Sequence, residues 1–295
     1  MRFSVIVPCH NSADHVGSAL KSIAEQTVPA YEIIVVDDAS DDDTTSTVRR
    51  SGVATHMIRV EHRNAAASRN AGIARATGDY VAFLDADNQW LPDHLARAAY
   101  LLKVNNDGLY VSPPLQDVSP GMPRQGVPRS DFPVAGDRTG LGKEEFVDWR
   151  LRRSWGFPTT GTVVRRDVLE RISGFDETQI HRHDFELVMR AICQTTWCTS
   201  PTSTWWSRPP RQGNLSFNKA RCAYYSFRAL KLNEAKYKSS TYSRLMRGSA
   251  LNAVKTAIME KDQRVLTKAR KSAYRYLGFS DRIKVILFDF LYGRI

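Results

Sequence analysis

Tyr80-Val-Ala-Phe-Leu84-Asp85-Ala86-Asp87 is an apolar run that ends in two carboxylates on alternate residues. An unbroken apolar run of this length predicts a strand that is buried on both faces, which is typical of a parallel sheet. Alternate side chains of a strand point to the same side, so Asp85 and Asp87 are expected to present their oxygens at one point. Such a pair suits a hard divalent cation. A plain polar turn, in which Asp is also favoured, is the alternative interpretation.

Upstream of this stretch, short apolar runs alternate with helical patterns. Four apolar runs predict strands, at residues 3–7, 32–36, 57–61 and 80–84. We predict a helix capped by Ser12, a second helix capped by Ser40 that ends at Arg50, and a third helix over residues 65–76. Strands and helices that alternate with short connections predict βαβ units and a parallel sheet.

Three polar clusters are predicted to meet at one edge of this sheet. They are Pro8-Cys-His-Asn11, Asp37-Asp38 and Asp85-Ala-Asp87. Ligands of open α/β sheets bind at the carboxyl ends of the strands, where all three clusters fall. The sequence has no phosphate-binding loop and no Gly-x-Gly-x-x-Gly pattern. We therefore predict a site for metal and nucleotide here, although each cluster alone is typical of the start of a loop.

Four short motifs carry a resemblance to a known family. In order they are Pro8-Cys-His-Asn11, Val35-Val-Asp-Asp-Ala-Ser40, Ser68-Arg-Asn-Ala-Gly72 and Phe83-Leu-Asp-Ala-Asp87. In order and spacing they resemble the nucleotide-sugar domain of the inverting glycosyltransferase family 2. The resemblance covers residues 3–217 and implies the GT-A fold, a Rossmann-like α/β fold with a mostly parallel central sheet.

The resemblance also implies roles for individual residues. It places five of them at the nucleotide: Pro8, Asn11, Asp38, Arg69 and Asp85. Asp38 would contact the base, and Asp85 would lie near the ribose. Asp87, together with Asp85, would hold Mn²⁺ or Mg²⁺ on the diphosphate. Asn88 stands where many members of the family have a further Asp.

A second match lies further along, at Gly174-Phe-Asp-Glu177 and His181-Arg-His-Asp-Phe-Glu-Leu187. It is similar to the family's turn followed by an acidic pair that opens a helix, and Asp184 matches the general base. The positive end of a helix dipole keeps a first-turn carboxylate ionised, and the acceptor hydroxyl needs a group that takes its proton. Acidic residues without a catalytic role are also common there. His181 and His183 are expected to be solvated, with tuning of the carboxylate or metal binding as alternatives.

Arg208-Pro-Pro-Arg-Gln-Gly-Asn-Leu-Ser216 resembles the family segment that closes over the diphosphate. Many members have a metal-binding His where this chain has Arg211. A guanidinium has no lone pair for a cation, but it can bind phosphate through two parallel hydrogen bonds. Arg211 is therefore predicted to bind the diphosphate, with a plain surface arginine as the alternative. Residues 112–143, with six prolines and five glycines, predict an irregular loop. The resemblance implies that this loop faces the acceptor, as a mobile lid or as an acceptor-binding loop.

Charge divides the 295-residue chain into two parts. The net charge of +11 arises from −2 over residues 1–218 and +13 over residues 219–295. We predict a GT-A catalytic domain at 1–218, with a nucleotide-binding half at 1–110 and an acceptor-binding half at 111–218. A basic helical extension follows at 219–295, with helices at 219–236, 241–258, 260–277 and 280–292.

The extension predicts a partner of opposite charge, an anionic membrane surface or nucleic acid. Apolar residues crowd the last helix between Arg282, Lys284 and Arg294, which is typical of a helix that lies in a bilayer interface. No segment reaches the roughly 20 apolar residues that a spanning helix needs, and the first strand leaves no room for a signal peptide. We expect a cytoplasmic protein, peripheral on the inner face of the cell membrane. The alternative is a helical bundle that packs on the catalytic domain or mediates a homo-oligomer.

These observations predict a metal-dependent inverting glycosyltransferase of the hexosyltransferase type. The donor would be a nucleotide sugar, by family frequency a UDP-sugar, and the acceptor a glycan or lipid-linked hydroxyl in cell-surface polysaccharide or lipopolysaccharide assembly. Two other classes stay open. A sugar nucleotidyltransferase usually carries a Gly-rich, basic loop near its start, which this sequence does not have. A nucleic-acid binder would explain the basic extension, but the acidic clusters would repel phosphate, so no nucleic-acid partner is expected.

Overall fold

The computed structural model describes residues 1–112, 114–115, 137–152, 158–199, 205–206 and 218–292. The chain forms two compact units, each assembled from separate segments. The first unit contains Met1–Lys143, Phe157–Glu177 and Arg190–Pro209. The second unit contains Glu144–Gly156, Thr178–Met189 and Pro210–Ile295.

The described strands all belong to the first unit. They are β1 (Phe3–Cys9), β2 (Glu32–Asp38), β3 (His56–Val60), β4 (Tyr80–Phe83), β5 (Gln89–Trp90), β6 (Leu109–Val111), β7 (Pro114–Leu115), β8 (Arg138–Leu141), β9 (Thr162–Arg165), β10 (Trp197–Thr199) and β11 (Trp205–Trp206). Eight of them form a sheet in the order β3-β2-β1-β4-β9-β6-β10-β8, and the other three form a small sheet in the order β5-β11-β7. β3, β2, β1 and β4 are parallel, whereas β9 is antiparallel to both of its neighbours.

The described helices complete the fold. They are α1 (Val16–Ala24), α2 (Thr44–Arg50), α3 (Ala65–Ile73), α4 (His94–Val104), α5 (Lys143–Arg152), α6 (Arg166–Arg171), α7 (His183–Ala191), α8 (Lys219–Asn233), α9 (Ser240–Met259), α10 (Gln263–Ala273) and α11 (Phe279–Tyr292). Short 3₁₀ helices lie at Thr159–Gly161, Glu234–Lys236 and Tyr274–Tyr276. The α/β class, the mostly parallel sheet and the C-terminal helices confirm the predicted fold class.

Burial explains why the sheet forms where the apolar runs predict it. Every residue of β4 is buried, as expected for a strand covered on both faces. α3 lies close to β1 because Gly72 has no side chain: a Cβ at this position would lie 2.6 Å from Cγ2 of Ile6. The close approach brings the residues of α3 to the ends of β2 and β4.

The predicted helix caps are wrong, because each helix begins four residues after its serine and the serine hydroxyl has another partner. α1 begins at Val16 rather than directly after Ser12, whose hydroxyl donates to the backbone oxygen of His10 at 3.2 Å. α2 begins at Thr44, and Ser40 Oγ accepts a hydrogen bond from the N–H of Asn11 at 3.0 Å. β1 and β2 run two residues further than predicted, so that Asp37 and Asp38 are the last residues of β2, whereas β4 ends one residue earlier than predicted, at Phe83.

The helices of the extension lie where the sequence predicts them. α8, α9 and α10 begin after Asn218, Ser239 and Asp262, each of which accepts a hydrogen bond from a backbone N–H in the first turn. In the described part of the chain, no helix is long and apolar enough to cross a membrane. Most of the predicted loop at 112–143 lies outside the described residues, and its described end forms β8 and the start of α5.

Candidate active site

Asp38 organises the loop between β3 and α3. Its side chain is buried, and Oδ1 accepts hydrogen bonds from the N–H groups of His62 at 2.7 Å and Arg63 at 2.8 Å. Oδ2 accepts from the N–H of Asn64 at 3.0 Å and from Oγ of Ser68 at 2.6 Å. Burial acts to raise the pKa of Asp38, but the hydrogen bonds from Ser68 and the three N–H groups outweigh it and lower the pKa. The carboxylate is therefore held ionised in a fixed orientation.

The loops that follow β1 and β2 are tied to each other. His10 Nδ1 lies 2.7 Å from the backbone oxygen of Asp38. Asn11, in a left-handed conformation with φ of 47°, donates its N–H to Ser40 and accepts at Oδ1 from the N–H of Asp41 at 2.9 Å. Asn tolerates this conformation better than most residues. The predicted nucleotide residues Asn11 and Asp38 are therefore brought together at the edge of the sheet.

Arg69 joins α3 to the end of β4. Its side chain is 6% exposed, and Nη2 lies 2.5 Å from Oδ1 of Asp85. Nη1 donates to the backbone oxygen of Ala65 at 3.0 Å, and the guanidinium lies over the ring of Phe175. A planar guanidinium can make all of these contacts at once. Since Ser68 bonds to Asp38 and Arg69 bonds to Asp85, two consecutive residues of α3 connect the two strand ends.

Asn70, the next residue, holds the Gly174-Phe-Asp-Glu177 turn. Its Oδ1 accepts from the N–H of Phe175 at 2.8 Å, and its Nδ2 donates to the backbone oxygen of Phe175 and to Oε1 of Glu177. Gly174 has φ of +63°, and a Cβ there would lie 2.5 Å from Oδ1 of Asn70. Glycine is required for both reasons. The Ser68-Arg-Asn70 motif thus fixes Asp38, Asp85 and this turn.

Asp85, Asp87 and Asn88 form a turn after β4. The N–H of Asn88 donates to the backbone oxygen of Asp85 at 3.0 Å, and Asp87 is half-buried. Thr160, which the sequence does not single out, accepts at Oγ1 from the N–H of Asp85 and from Nδ2 of Asn88. Asn88 therefore contributes a hydrogen-bond donor to this turn. No sequence signal identifies Thr160, which approaches from a segment about 75 residues away in the chain.

The turn fits a divalent cation that shares its ligands with a substrate. Among the residues that the structure describes, no three His, Cys, Asp or Glu side chains converge into a metal site. Asp85 and Asp87 are two carboxylates on alternate positions of one turn, and Arg69 bonds to Oδ1 of Asp85. Mg²⁺ commonly binds to one or two carboxylates and completes its shell with water and phosphate oxygens. The donor set suits such an ion better than one enclosed by protein ligands alone.

Asp184 belongs to the second unit, in the first turn of α7. Its Oδ1 accepts from the N–H of Phe185 at 2.8 Å, as expected for a carboxylate at a helix start. Arg182, the residue directly before α7, has φ of 56°, a conformation that non-glycine residues rarely adopt. Burial raises the pKa of the nearby Cys222 thiol. The Arg182 guanidinium lowers this pKa, and the Asp184 carboxylate raises it further. His181 and His183 are buried, so the expectation that they are solvated is wrong.

The segment that carries Asp184 is anchored to α8. Gln179 Nε2 donates to the backbone oxygen of Tyr225 at 2.7 Å, and Gln179 Oε1 accepts from Arg228. The hydroxyl of Tyr237 donates to the backbone oxygen of Met189 at 2.8 Å. The predicted boundary at residue 218 stays a prediction, but the extension and the Asp184 segment belong to one compact unit. Arg211 lies outside the described residues.

Comparison with known families identifies the class of protein. Residues 4–173, more than half of the chain, match the model of Glycosyl transferase family 2. The chain therefore belongs to this family. The GT-A fold of this family agrees with the order of the strands in this chain and with the positions of its four motifs.

One curated relative and two solved structures describe the similarity further. The amylovoran biosynthesis glycosyltransferase AmsB of Erwinia amylovora is 32% identical over 200 residues, which cover 64% of this chain. The match spans 63% of AmsB, less than two thirds of that relative. S. aureus TarS 1–349 in complex with UDP-GlcNAc has a TM-score of 0.71 at 18% identity and covers 95% of this chain and 83% of its own. The mannosyltransferase PcManGT from Pyrobaculum calidifontis, in complex with GDP-Man and Mn²⁺, has a TM-score of 0.61 at 21% identity, with 98% and 84% covered. These two structures show the fold.

Proposed function

We propose that this protein is an inverting hexosyltransferase that moves a sugar from a nucleotide-sugar donor to a hydroxyl of a glycan or lipid-linked acceptor. The observation that carries the proposal is the linked edge of the sheet, where Ser68 and Arg69 connect Asp38 to Asp85 in a family 2 chain. AmsB is named for the biosynthesis of a polysaccharide, amylovoran. We therefore assign this chain to cell-surface polysaccharide or lipopolysaccharide assembly.

The proposed donor site uses the strand ends. Pro8, Asn11 and Asp38 would line the base and ribose, and Arg69 would hold Asp85 in place. Asp85 and Asp87 would hold Mn²⁺ or Mg²⁺, which supplies positive charge to the departing diphosphate. Arg211 would bind the diphosphate. A UDP-sugar is the proposed donor: TarS was solved with UDP-GlcNAc, whereas PcManGT was solved with GDP-Man and Mn²⁺.

Asp184 is the proposed general base. As the acceptor oxygen forms its bond to the anomeric carbon, the bond from that carbon to the phosphate oxygen breaks, and the acceptor's proton passes to the Asp184 carboxylate. Attack from the face opposite the leaving diphosphate inverts the configuration. A lipid-linked acceptor would place this reaction at the cytoplasmic face of a membrane.

Nucleotide sugars with and without Mn²⁺ test the proposal directly. We expect Mn²⁺-dependent release of free nucleoside diphosphate from one class of donor. Asp87→Ala should lower this turnover by about a hundredfold to a thousandfold, because the leaving charge loses its stabilisation. Asp184→Asn should lower transfer by about 10² to 10⁴ while nucleotide affinity stays unchanged.

Asp93→Asn is the matched control, since Asp93 is exposed before α4 and makes no capping hydrogen bond. It should transfer sugar at the normal rate. Release of pyrophosphate instead of nucleoside diphosphate would indicate a nucleotidyltransferase. Normal turnover of either active-site variant would contradict the proposed roles.

A further inference from the structure

Large apolar side chains line the outer side of α11. Phe279 is 83% exposed, Ile286 is 63% exposed and Leu291 is 68% exposed. Ile283 and Leu287 are exposed as well. Side chains three or four residues apart lie on the same side of a helix, so these five form one continuous strip, which we call the α11 strip. An exposed apolar strip of this kind usually marks an interaction site.

Ion pairs fix the rotation that turns the α11 strip outward. Asp281, which is buried, pairs with Arg247 of α9, and Asp289 pairs with Arg270 of α10 at 2.6 Å. Val285, between the two acidic residues, is 1% exposed. The side of α11 that faces its neighbours is thus anchored by carboxylates, whereas most of its large aliphatic side chains face away from them. This is the reverse of an ordinary surface helix.

The extension that carries the α11 strip is strongly basic. Residues 219–295 carry a net charge of +13. Four of the five acidic residues in this range already lie within 4.0 Å of an arginine: Glu234, Asp262, Asp281 and Asp289. Exposed cations lie on α10 and α11, and they include Arg264, Lys268, Lys271, Arg282 and Lys284. The positive charge is therefore not neutralised within the extension.

We propose that α11 lies in the interface of an anionic lipid bilayer, with the α11 strip among the acyl chains and the neighbouring cations at the headgroups. A surface that is both apolar and basic matches such a membrane in both respects. A second copy of the chain matches the strip but not the charge, because two extensions of +13 would repel. Nucleic acid matches the charge but not the strip. The proposal concerns where the protein resides and goes beyond the transfer reaction.

Sedimentation of the full chain with vesicles tests this proposal. We expect binding to vesicles of equimolar phosphatidylglycerol and phosphatidylcholine, weakened by salt, and little binding to phosphatidylcholine alone. The double variant Ile286→Ser with Leu291→Ser should lower the partition coefficient by about tenfold or more, because less apolar surface is buried. Release of nucleoside diphosphate without vesicles should not change, so the result is independent of the reaction.

A second double variant provides the matched control. Leu232→Ser with Met259→Ser replaces two apolar residues of the same unit that are 53% and 56% exposed but lie outside the α11 strip. It should bind vesicles like the wild type, and thermal unfolding should show that both variants are folded. Unchanged vesicle binding by the strip variant would overturn the proposal. Equal binding to neutral vesicles, or a dimer that only the strip variant loses, would overturn it as well.

Discussion

Carboxylates organise both the strand-end edge of the first unit and the helices α8 to α11, but with different partners. Asp38 is buried and accepts three of its four hydrogen bonds from backbone N–H groups. Asp289 is half-exposed and pairs with the side chain of Arg270. Hydrogen bonds from backbone N–H groups fix a carboxylate relative to the main chain, whereas an ion pair between two side chains only joins two surfaces. The first arrangement shapes a site, and the second orients a helix.

The difference predicts unequal costs when each arrangement is broken. A buried charge without its partner keeps its desolvation penalty, so a buried ion pair is costly to interrupt. An exposed pair gains little, because water solvates both charges once they separate. Substitutions at the strand-end edge and in the extension therefore test whether the edge loses more stability than the extension does.

Arg69→Met should have the largest effect on stability. It removes a guanidinium that is 6% exposed, together with its hydrogen bonds to Asp85, which is itself 32% exposed, and to the backbone oxygen of Ala65, and it should lower the free energy of unfolding by about 3 kcal/mol. Denaturation in urea measures this without reference to activity. Arg97→Met is the matched control, because Arg97 also lies 2.5 Å from an aspartate, Asp137, but both side chains are about a third exposed. A loss of less than about 1 kcal/mol is expected for Arg97→Met. Equal losses in the two variants would contradict the expected difference between a buried and a partly exposed arginine.

Asp38→Asn should have an intermediate effect that depends on pH. We expect a loss of about 2 kcal/mol at neutral pH, because an amide cannot accept all four hydrogen bonds. The pKa of Asp38 is lower in the folded state, so its contribution is present above the unfolded value of about 3.9 and is lost as the pH falls through the folded value. The stability difference between wild type and variant should therefore shrink below about pH 4. Asp41→Asn, which changes an exposed neighbour, is the control and should change the free energy of unfolding little at any pH. If the stability difference between wild type and Asp38→Asn stayed constant as the pH falls below about 4, the ionised form of Asp38 would not be the stabilising form.

Asp289→Asn should have the smallest effect. Both side chains of the Arg270 pair are more than 40% exposed, so we expect a loss below about 1 kcal/mol. Thermal unfolding is sufficient to measure it. A loss as large as that of Arg69→Met would show that this pair stabilises the extension in the way that Arg69 stabilises the edge.

Much of the edge could be predicted from the sequence because its elements repeat with regular periods. The strands β1, β2 and β4 follow from apolar runs, and their parallel pairing brings Asn11, Asp38 and Asp85 to one side. The helices of the extension follow from composition and capping residues. Both rely on interactions between near neighbours in the chain, which local sequence encodes.

The errors concern side chains with a choice of partners. Ser12 and Ser40 have the residue type of a helix cap, but the Ser12 hydroxyl donates to the backbone oxygen of His10, and the Ser40 hydroxyl accepts from the N–H of Asn11, about 30 residues away. Thr160 contacts the turn after β4 from a still more distant segment. A hydroxyl bonds to whichever partner the fold brings close, and local sequence does not encode that choice.

The family, the order of the strand-end motifs and the uneven charge follow from the amino-acid sequence alone, since each depends on residue types and their spacing. That consecutive residues of α3 connect Asp38 to Asp85, and that α11 turns its apolar side outward, follows from the folded chain. Both results depend on contacts between segments that are far apart in the chain. Such contacts form only once packing has fixed how each helix is rotated about its own axis.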